Sequence, residues 1–303
     1  MIDTPILSAI YEQNAEISPH LFNSGSRKAD TEVSRRCAIQ QAIAMMRNNF
    51  QNPLTLQDIA SSVQFSSFHF NRIFRSITGI PPSVYLAALR IEEAKKLLLR
   101  TNLSVTSICF DVGYNSLGTF TTRFTQFVGA TPTQFRQISR DEQLTSFFQH
   151  WGNLKSLLGM FNQRSGKMAV EGSIEVPMPF DGLIFVGLFT SPIPQSAPVS
   201  CTVLTGSGRY SLPASPEGKY YLFATAVQKE ESFQTMLEAT SFLRCAKPQA
   251  LSVHSGKPTQ FIDLQLHPMS WTDAPILIAL PWVLFSRITE YVPELAYTRE
   301  EAI

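Results

Sequence analysis

The sequence predicts a multidomain α plus β protein: an all-α region of two repeated helical pairs over residues 37–140, then a mainly antiparallel β-sandwich over 171–303. Three observations predict it. Apolar residues before position 140 recur at helical spacing. The same stretch repeats itself at an interval of 50 residues, as Phe70 and Phe120 show. Beyond about residue 170 the chain changes to short apolar runs separated by Gly and Pro turns.

The 303 residues suffice for two ordinary cores. The first residues carry Asp3, Glu12 and Glu16, which does not suit a signal peptide, and no long apolar run suggests a membrane span. The expected location is the cytoplasm, away from membranes. Residues 1–36 are polar and read as a flexible N-terminal arm. From Ala38 to Phe50 the spacing of Ile39, Ala42, Ile43, Met46 and Phe50 predicts a helix, which Asn52-Pro53 stops.

The repeat comes next. Phe70, Phe74, Gly79, Pro82 and Tyr85 recur as Phe120, Phe124, Gly129, Pro132 and Phe135, while Ile59 recurs at Ile108. Each copy has one local logic. Thr55 or Ser104 caps a short helix that buries Leu56, Ile59, Ala60 and Val63, or Val105, Ile108, Cys109 and Val112. A tight turn follows, marked by Gly113 in the second copy. Ser66 or Ser116 caps a second helix whose inward face is Phe70, Ile73, Phe74 and Ile77 in copy one. Gly79 or Gly129 ends it. Residues 82–100 read as one long joining helix. Two short helices, a tight turn and a polar outer face on the second describe a helix-turn-helix unit, of which the chain has two.

Charge divides the chain. Ten Lys/Arg against four acids give residues 37–140 a net +6, and the remaining residues carry −5. A basic module joined to a mildly acidic one suits a phosphate-binding half and a second half with another task. Cys37, Cys109, Cys201 and Cys245 form no CxxC pair and have no histidine cluster beside them. They read as small buried apolar residues of a reducing compartment; no zinc site is expected, and a bridge between Cys201 and Cys245 stays open with nothing in the sequence to prefer it.

Residues 141–170 read as a connector with some helical spacing, broken by Ser165-Gly166-Lys167. Three strand-rich stretches then follow. They are SIEVPMPFDGLIFVGLFTSPIP, SCTVLTGSGRYSLPASPEGKYYLFATAV and ALSVHSGKPTQFIDLQL, with ESFQTMLEATSFL as a helical insert. Tyr210, Tyr220, Tyr221, Trp271 and Trp282 are either core or ligand-facing; a sandwich core uses the same residue types.

Several runs carry a family resemblance. They are Ile59-Ala60, SFHFNRIFR at Ser67 to Arg75, YLAALRIEEAKKLL at Tyr85 to Leu98, ICFDVGYNSLGTFTTRF and GATPTQFR. Residues 40–140 resemble the DNA-binding domain of the AraC/XylS family of transcription regulators. The resemblance implies double-stranded DNA as partner, with the second helix of each unit in a major groove. It implies base reading by Phe68, Asn71 and Arg72 in the first unit, with Phe68 alternatively a core residue. In the second unit the positions are Leu117, Gly118, Thr121 and Thr122. Thr122 stands where the family often has Arg, which implies a less selective unit. Backbone contacts are expected from Ser67, His69, Arg75, Arg90, Thr119, Arg123 and Arg136, with Lys96, Arg100 and Arg140 as further phosphate candidates. Lys95 and Lys96 serve equally as a solvated face.

The last 130 residues resemble carboxypeptidase-regulatory-like or transthyretin-like sandwiches, through the Gly208-Arg209-Tyr210 and Gly218-Lys219-Tyr220-Tyr221-Leu222 runs. That implies a fold more than a function. The expected role is modulation of DNA binding; a small-molecule effector and a homo-oligomer stay open. A drug-binding sheet domain of the kind found in other AraC-family regulators is an alternative. An architectural DNA-binding protein, its β region serving only assembly, is the rival reading. No cofactor, metal or enzymatic activity is expected, since His254 and His267 alone do not make a catalytic cluster.

Overall fold

The computed structural model describes residues 26–149, 168–177, 179–213, 216–229, 231–239, 242–246, 250–254 and 258–291. Residues 39–303 form one compact unit and residues 1–38 another. Helix α1 runs Ser26–Asn49. Of the expected arm, residues 1–25 lie outside the described residues, but the part from Ser26 is helical. No Gly or Pro interrupts Ser26–Asn49, and Glu32 and Arg36 pair at 3.4 Å one turn apart. Ile39, Ala42, Ile43 and Met46 are buried, as their spacing requires.

Six helices build the repeat: α2 (Leu56–Ser62), α3 (Ser67–Thr78), α4 (Pro82–Arg100), α5 (Val105–Asp111), α6 (Leu117–Val128) and α7 (Pro132–Ile138). The caps fall where the sequence places them. Thr55 and Asp58 close a capping box, with Thr55 N donating to Asp58 Oδ2 at 2.8 Å and Asp58 N donating back to Thr55 Oγ1 at 3.1 Å. The hydrogen bonds from Thr55 hold the Asp58 carboxyl below its usual pKa. Ser66, Ser104 and Ser116 cap α3, α5 and α6, and Gly79 and Gly129 end α3 and α6 in the left-handed region.

Inside each copy an aromatic ladder fills the core. The ring centres of Phe70, Phe74 and Tyr85 follow at 5.5 Å steps, first tilted and then edge-on; Phe120, Phe124 and Phe135 follow the same path at 5.7 Å. The expected buried sets need three corrections. Leu56 is 37% exposed, and Val105 and Ile77 are half-buried. A two-turn helix presents one narrow stripe to its partner, and Ile59, Ala60 and Val63 already fill it in copy one. The turn of copy two uses Gly113 at φ +85°, and copy one places Gln64 at φ +59° in the same position. Gly113 also meets α1's end: a Cβ there would fall 2.6 Å from the Gln51 carbonyl oxygen.

Helix α8 (Glu142–Gln149) opens the connector, whose remainder to residue 167 lies outside the described residues. Among the described residues nine strands follow: β1 (Met168–Glu175), β2 (Gly182–Phe189), β3 (Ser200–Leu204), β4 (Gly208–Pro213), β5 (Gly218–Gln228), β6 (Leu243–Ala246), β7 (Leu251–Val253), β8 (Gln260–Phe261) and β9 (Leu264–Gln265). The insert is helix α9 (Phe233–Glu238), capped by Ser232. One sheet has the order β4-β1-β8, with β9 also on β1; the other is β3-β2-β5-β6, with β7 on β5. Pairing is antiparallel except where β8 and β9 meet β1.

Both sheets feed one apolar cluster. Val170, Ile174, Tyr210 and Leu212 come from the first, and Ile184, Val186, Leu188, Leu222 and Ala224 from the second. The run Gly182–Phe189 does not alternate because β2 is covered on both faces: only Phe185 is partly exposed. A final helix, α10 (Leu280–Tyr291), has no counterpart in the sequence reading. Its Leu280 and Leu284 are buried, and Phe285 meets Phe147 of α8 edge-on at 5.5 Å.

Candidate nucleic-acid interface

Helices α3 and α6 are held alike and differ on their outer faces. On α3, Phe68 is 84% exposed, which settles its alternative: it is not core. Asn71, Arg72 and Arg75 are exposed beside it. His69 is half-buried, edge-on to Phe65 at 5.2 Å, and its Nδ1 lies 3.3 Å from Arg72 Nη2, so the imidazole steadies the guanidinium. Ser67 donates to Gln57 of α2, tying the two helices at the start of α3.

On α6, Leu117 is 41% exposed, and Gly118, Thr119, Thr122 and Arg123 are exposed; Thr121 is half-buried. A Cβ on Gly118 would meet only Ser116 Oγ, at 3.9 Å. The protein's own packing therefore does not require glycine there. Arg123 Nη1 reaches Gln126 at 3.4 Å.

Much of the positive charge that composition assigned to this region has partners within the chain. Arg90 Nε donates to the Phe50 carbonyl at 2.7 Å and its Nη2 to the Asn52 carbonyl at 2.9 Å, while its plane lies over Tyr114. Half-burial lowers the Arg90 pKa. Arg136 Nη2 donates to the Leu103 carbonyl at 2.6 Å, and Arg140 donates to Asn102 at 2.6 Å. Arg100 grips Glu238 through two bonds of 2.9 and 2.8 Å, which raise its pKa further. Lys96 pairs with Glu93 at 3.5 Å, and Arg47 with Glu92 at 3.8 Å.

Arg90, Arg136, Arg100 and Arg140, expected at phosphates, thus have partners within the chain. Arg90 and Arg140 stand at equivalent positions of the two copies; Arg90 holds two backbone carbonyls, whereas the exposed Arg140 holds the side chain of Asn102. Lys95 is also not on a solvated face. It is 1% exposed, with Nζ 3.4 Å from the Ile276 carbonyl and 5.9 Å from the centre of the Phe135 ring, and desolvation lowers its pKa to about 7. Among the described residues, Arg72, Arg75 and Arg123 remain as the exposed cations of α3 and α6.

No disulfide joins any of the four cysteines. Cys109 and Cys245 are buried, but Cys37 and Cys201 are exposed, against the expectation of four buried residues. Among the described residues no group of three or more His, Cys, Asp or Glu gathers as a metal site, and no helix is long and apolar enough to cross a membrane.

A model of a helix-turn-helix domain matches residues 59–138. The chain is 35% identical over 98 residues to the HTH-type transcriptional activator AarP of Providencia stuartii, covering 73% of that protein. The chain belongs to the AraC family of transcription regulators. This AraC-family chain is also 29% identical over 129 residues to the melibiose operon regulatory protein of Escherichia coli (strain K12). That match takes in 42% of this chain and 43% of that protein, so the chain spans less than half of that relative. A solved AraC-type transcriptional regulator from Chromobacterium violaceum shares 28% identity over 35% of this chain and 96% of its own, with a TM-score of 0.34.

Proposed function

We propose that this AraC-family chain is a sequence-specific DNA-binding transcription regulator that sets α3 and α6 into successive major grooves on one face of a duplex. The observation that carries this reading is the paired design: two equally capped helices, each with a buried aromatic inner face and an exposed polar outer face. In the first unit Arg72 forks onto guanine, Asn71 pairs with adenine, and Phe68 meets a thymine methyl. In the second, Leu117, Gly118, Thr121 and Thr122 face the bases. Bare Gly118 lets the DNA approach closely, and Thr122 makes this unit the less selective. Ser67, His69, Arg75, Thr119 and Arg123 serve the backbone. Arg90 and Arg136 are left out of the interface because their donors hold carbonyls within the chain.

The same proposal divides the chain into a DNA-binding region at 37–140, a connector at 141–170 and a modulating β region at 171–303, acting in the cytoplasm. The β-sandwich class is supported by the single core that both sheets share; transthyretin-like kinship is its narrower form. Selection of bound DNA from a random pool, with the full-length protein, tests the reading. The expected site is asymmetric, with two contacted segments about 34 Å apart, one helical turn. A strictly palindromic site or a one-groove footprint refutes the geometry. Binding without any preferred sequence would make the protein architectural instead.

A further inference from the structure

The outer face of the second sheet, away from the shared core, does not pack flush against its neighbours. It encloses a cavity of about 170 Å³. Phe185 and Phe189 of β2 and Phe223 of β5 line one side, and Ile276 and Leu284 another. Thr78 and Ile80, at the end of α3, complete it. An apolar protein cavity of about 150 Å³ is large enough to hold benzene, so this one has the size of a single ring with a small substituent.

The wall holds one buried cation. Arg244 of β6 is 6% exposed and lines the cavity. Its Nε donates to the Phe242 carbonyl at 3.4 Å and its Nη1 to the Ala274 carbonyl at 3.1 Å. Its Nη2 makes no hydrogen bond, and none of the ion pairs includes it, among the described residues. Burial lowers its pKa, and the charges of Asp273, Glu92 and Tyr85 partly offset that, against Arg47. Asp273 also lines the cavity, but its carboxylate already accepts from Ser270 N at 2.7 Å and stands 4.0 Å from His267. A desolvated guanidinium with an unused donor is costly until an anion meets it.

We propose that this cavity binds a small apolar carboxylate, its one-ring body against the phenylalanines and its carboxylate on Arg244. Helix α3 ends at this site, and α6 ends against α10, which lines it. Thr78 Oγ1 donates to the carbonyls of Phe74 and Ile80, at 2.9 and 3.0 Å, closing α3 beside the cavity. Val283 of α10 lines the cavity, a Cβ on Gly129 would lie 3.7 Å from it, and Ala279 N donates to the Val128 carbonyl of α6 at 3.0 Å. Occupancy therefore acts on the spacing of α3 and α6; this consequence rests on the DNA-binding reading, whereas the binding site does not.

Calorimetry of the full-length protein with benzoate, toluene and benzylamine tests the site. Benzoate is expected to bind about tenfold or more tighter than toluene, the size of one charge-assisted hydrogen bond, with benzylamine weakest. Arg244→Gln should erase the preference for benzoate and keep toluene, and Val203→Phe should fill the cavity and abolish all three. If either variant fails to fold, the order of the three ligands on the unaltered protein decides. Toluene equal to benzoate, no saturable binding of benzoate, or binding that survives Val203→Phe overturns the proposal. DNA affinity unchanged by bound benzoate overturns the coupling alone; failure to bind any DNA sinks the earlier reading and leaves the cavity standing.

Discussion

Replacing Lys95 by Met should stabilise the protein, and by an amount that depends on pH. Lys95 is fully buried, held by one long hydrogen bond of 3.4 Å and a ring at 5.9 Å, and its pKa falls from 10.5 to about 7 because burial disfavours the ammonium. At about 1.36 kcal/mol per pH unit, that difference makes the charged form costly by on the order of 5 kcal/mol. Below pH 7 both folded and unfolded chains hold the proton, so the whole cost is present. Between 7 and 10.5 the unfolded chain binds the extra proton, so the stability of the unaltered protein rises with pH. Methionine matches the length of the stem without the charge. After the lost carbonyl bond and ring contact, a net gain of about 1–4 kcal/mol is expected at pH 6, typical of exchanging a buried charge for an apolar side chain. At pH 9 the gain should be smaller by about 3 kcal/mol, two pH units further along that slope. Urea unfolding of both proteins at pH 6 and 9, followed by far-ultraviolet dichroism, measures this. A loss of stability at pH 6, or the same difference at both pH values, would refute the assignment of Lys95 as a desolvated cation.

Three further outcomes follow from the same contacts. Gly113→Ala should cost more than about 3 kcal/mol, since it combines the left-handed penalty with a Cβ 2.6 Å from the Gln51 oxygen, whereas Gln64→Gly should gain up to about 1 kcal/mol; thermal unfolding of each separates them, and equal effects would show the two turns are alike. Arg90→Ala should destabilise the fold by about 2–3 kcal/mol through two lost carbonyl bonds. Arg72→Ala should instead leave thermal stability within about 0.5 kcal/mol and cost about 1–3 kcal/mol of binding on the preferred site, relaxing one base position; equal losses on preferred and scrambled DNA would remove its reading role. With Arg75 and Arg123 as the phosphate-facing cations, the logarithm of affinity should fall with the logarithm of salt at a slope of about −2. A slope near −9, the value for all ten cations of residues 37–140, would show that the tethered arginines reach the DNA.

Much of the helical region is determined by sequence alone, because its rules are local. An N-cap serine and the backbone N–H it accepts are three residues apart, a C-cap glycine sits at the end of its own helix, and a buried stripe is set by 3.6 residues per turn. Thr55, Ser66, Gly79, Ser104, Ser116 and Gly129 are therefore legible without a partner in view. The outer faces of α3 and α6 follow from the same periodicity. The fate of charge does not. Arg90 meets its carbonyls 38 and 40 residues away, Arg100 its carboxylate 138 away, and Lys95 its carbonyl 181 away. A count of cations carries no information about such partners. Helix α10 was missed because Ile276–Phe285 is a nearly unbroken apolar run interrupted by Pro281; Pro is tolerated in a first turn, and an unbroken run shows no period until packing divides its faces. The cavity beside Arg244 is also decided only in three dimensions, because a space that α3, the second sheet and α10 leave between them belongs to no segment of the chain.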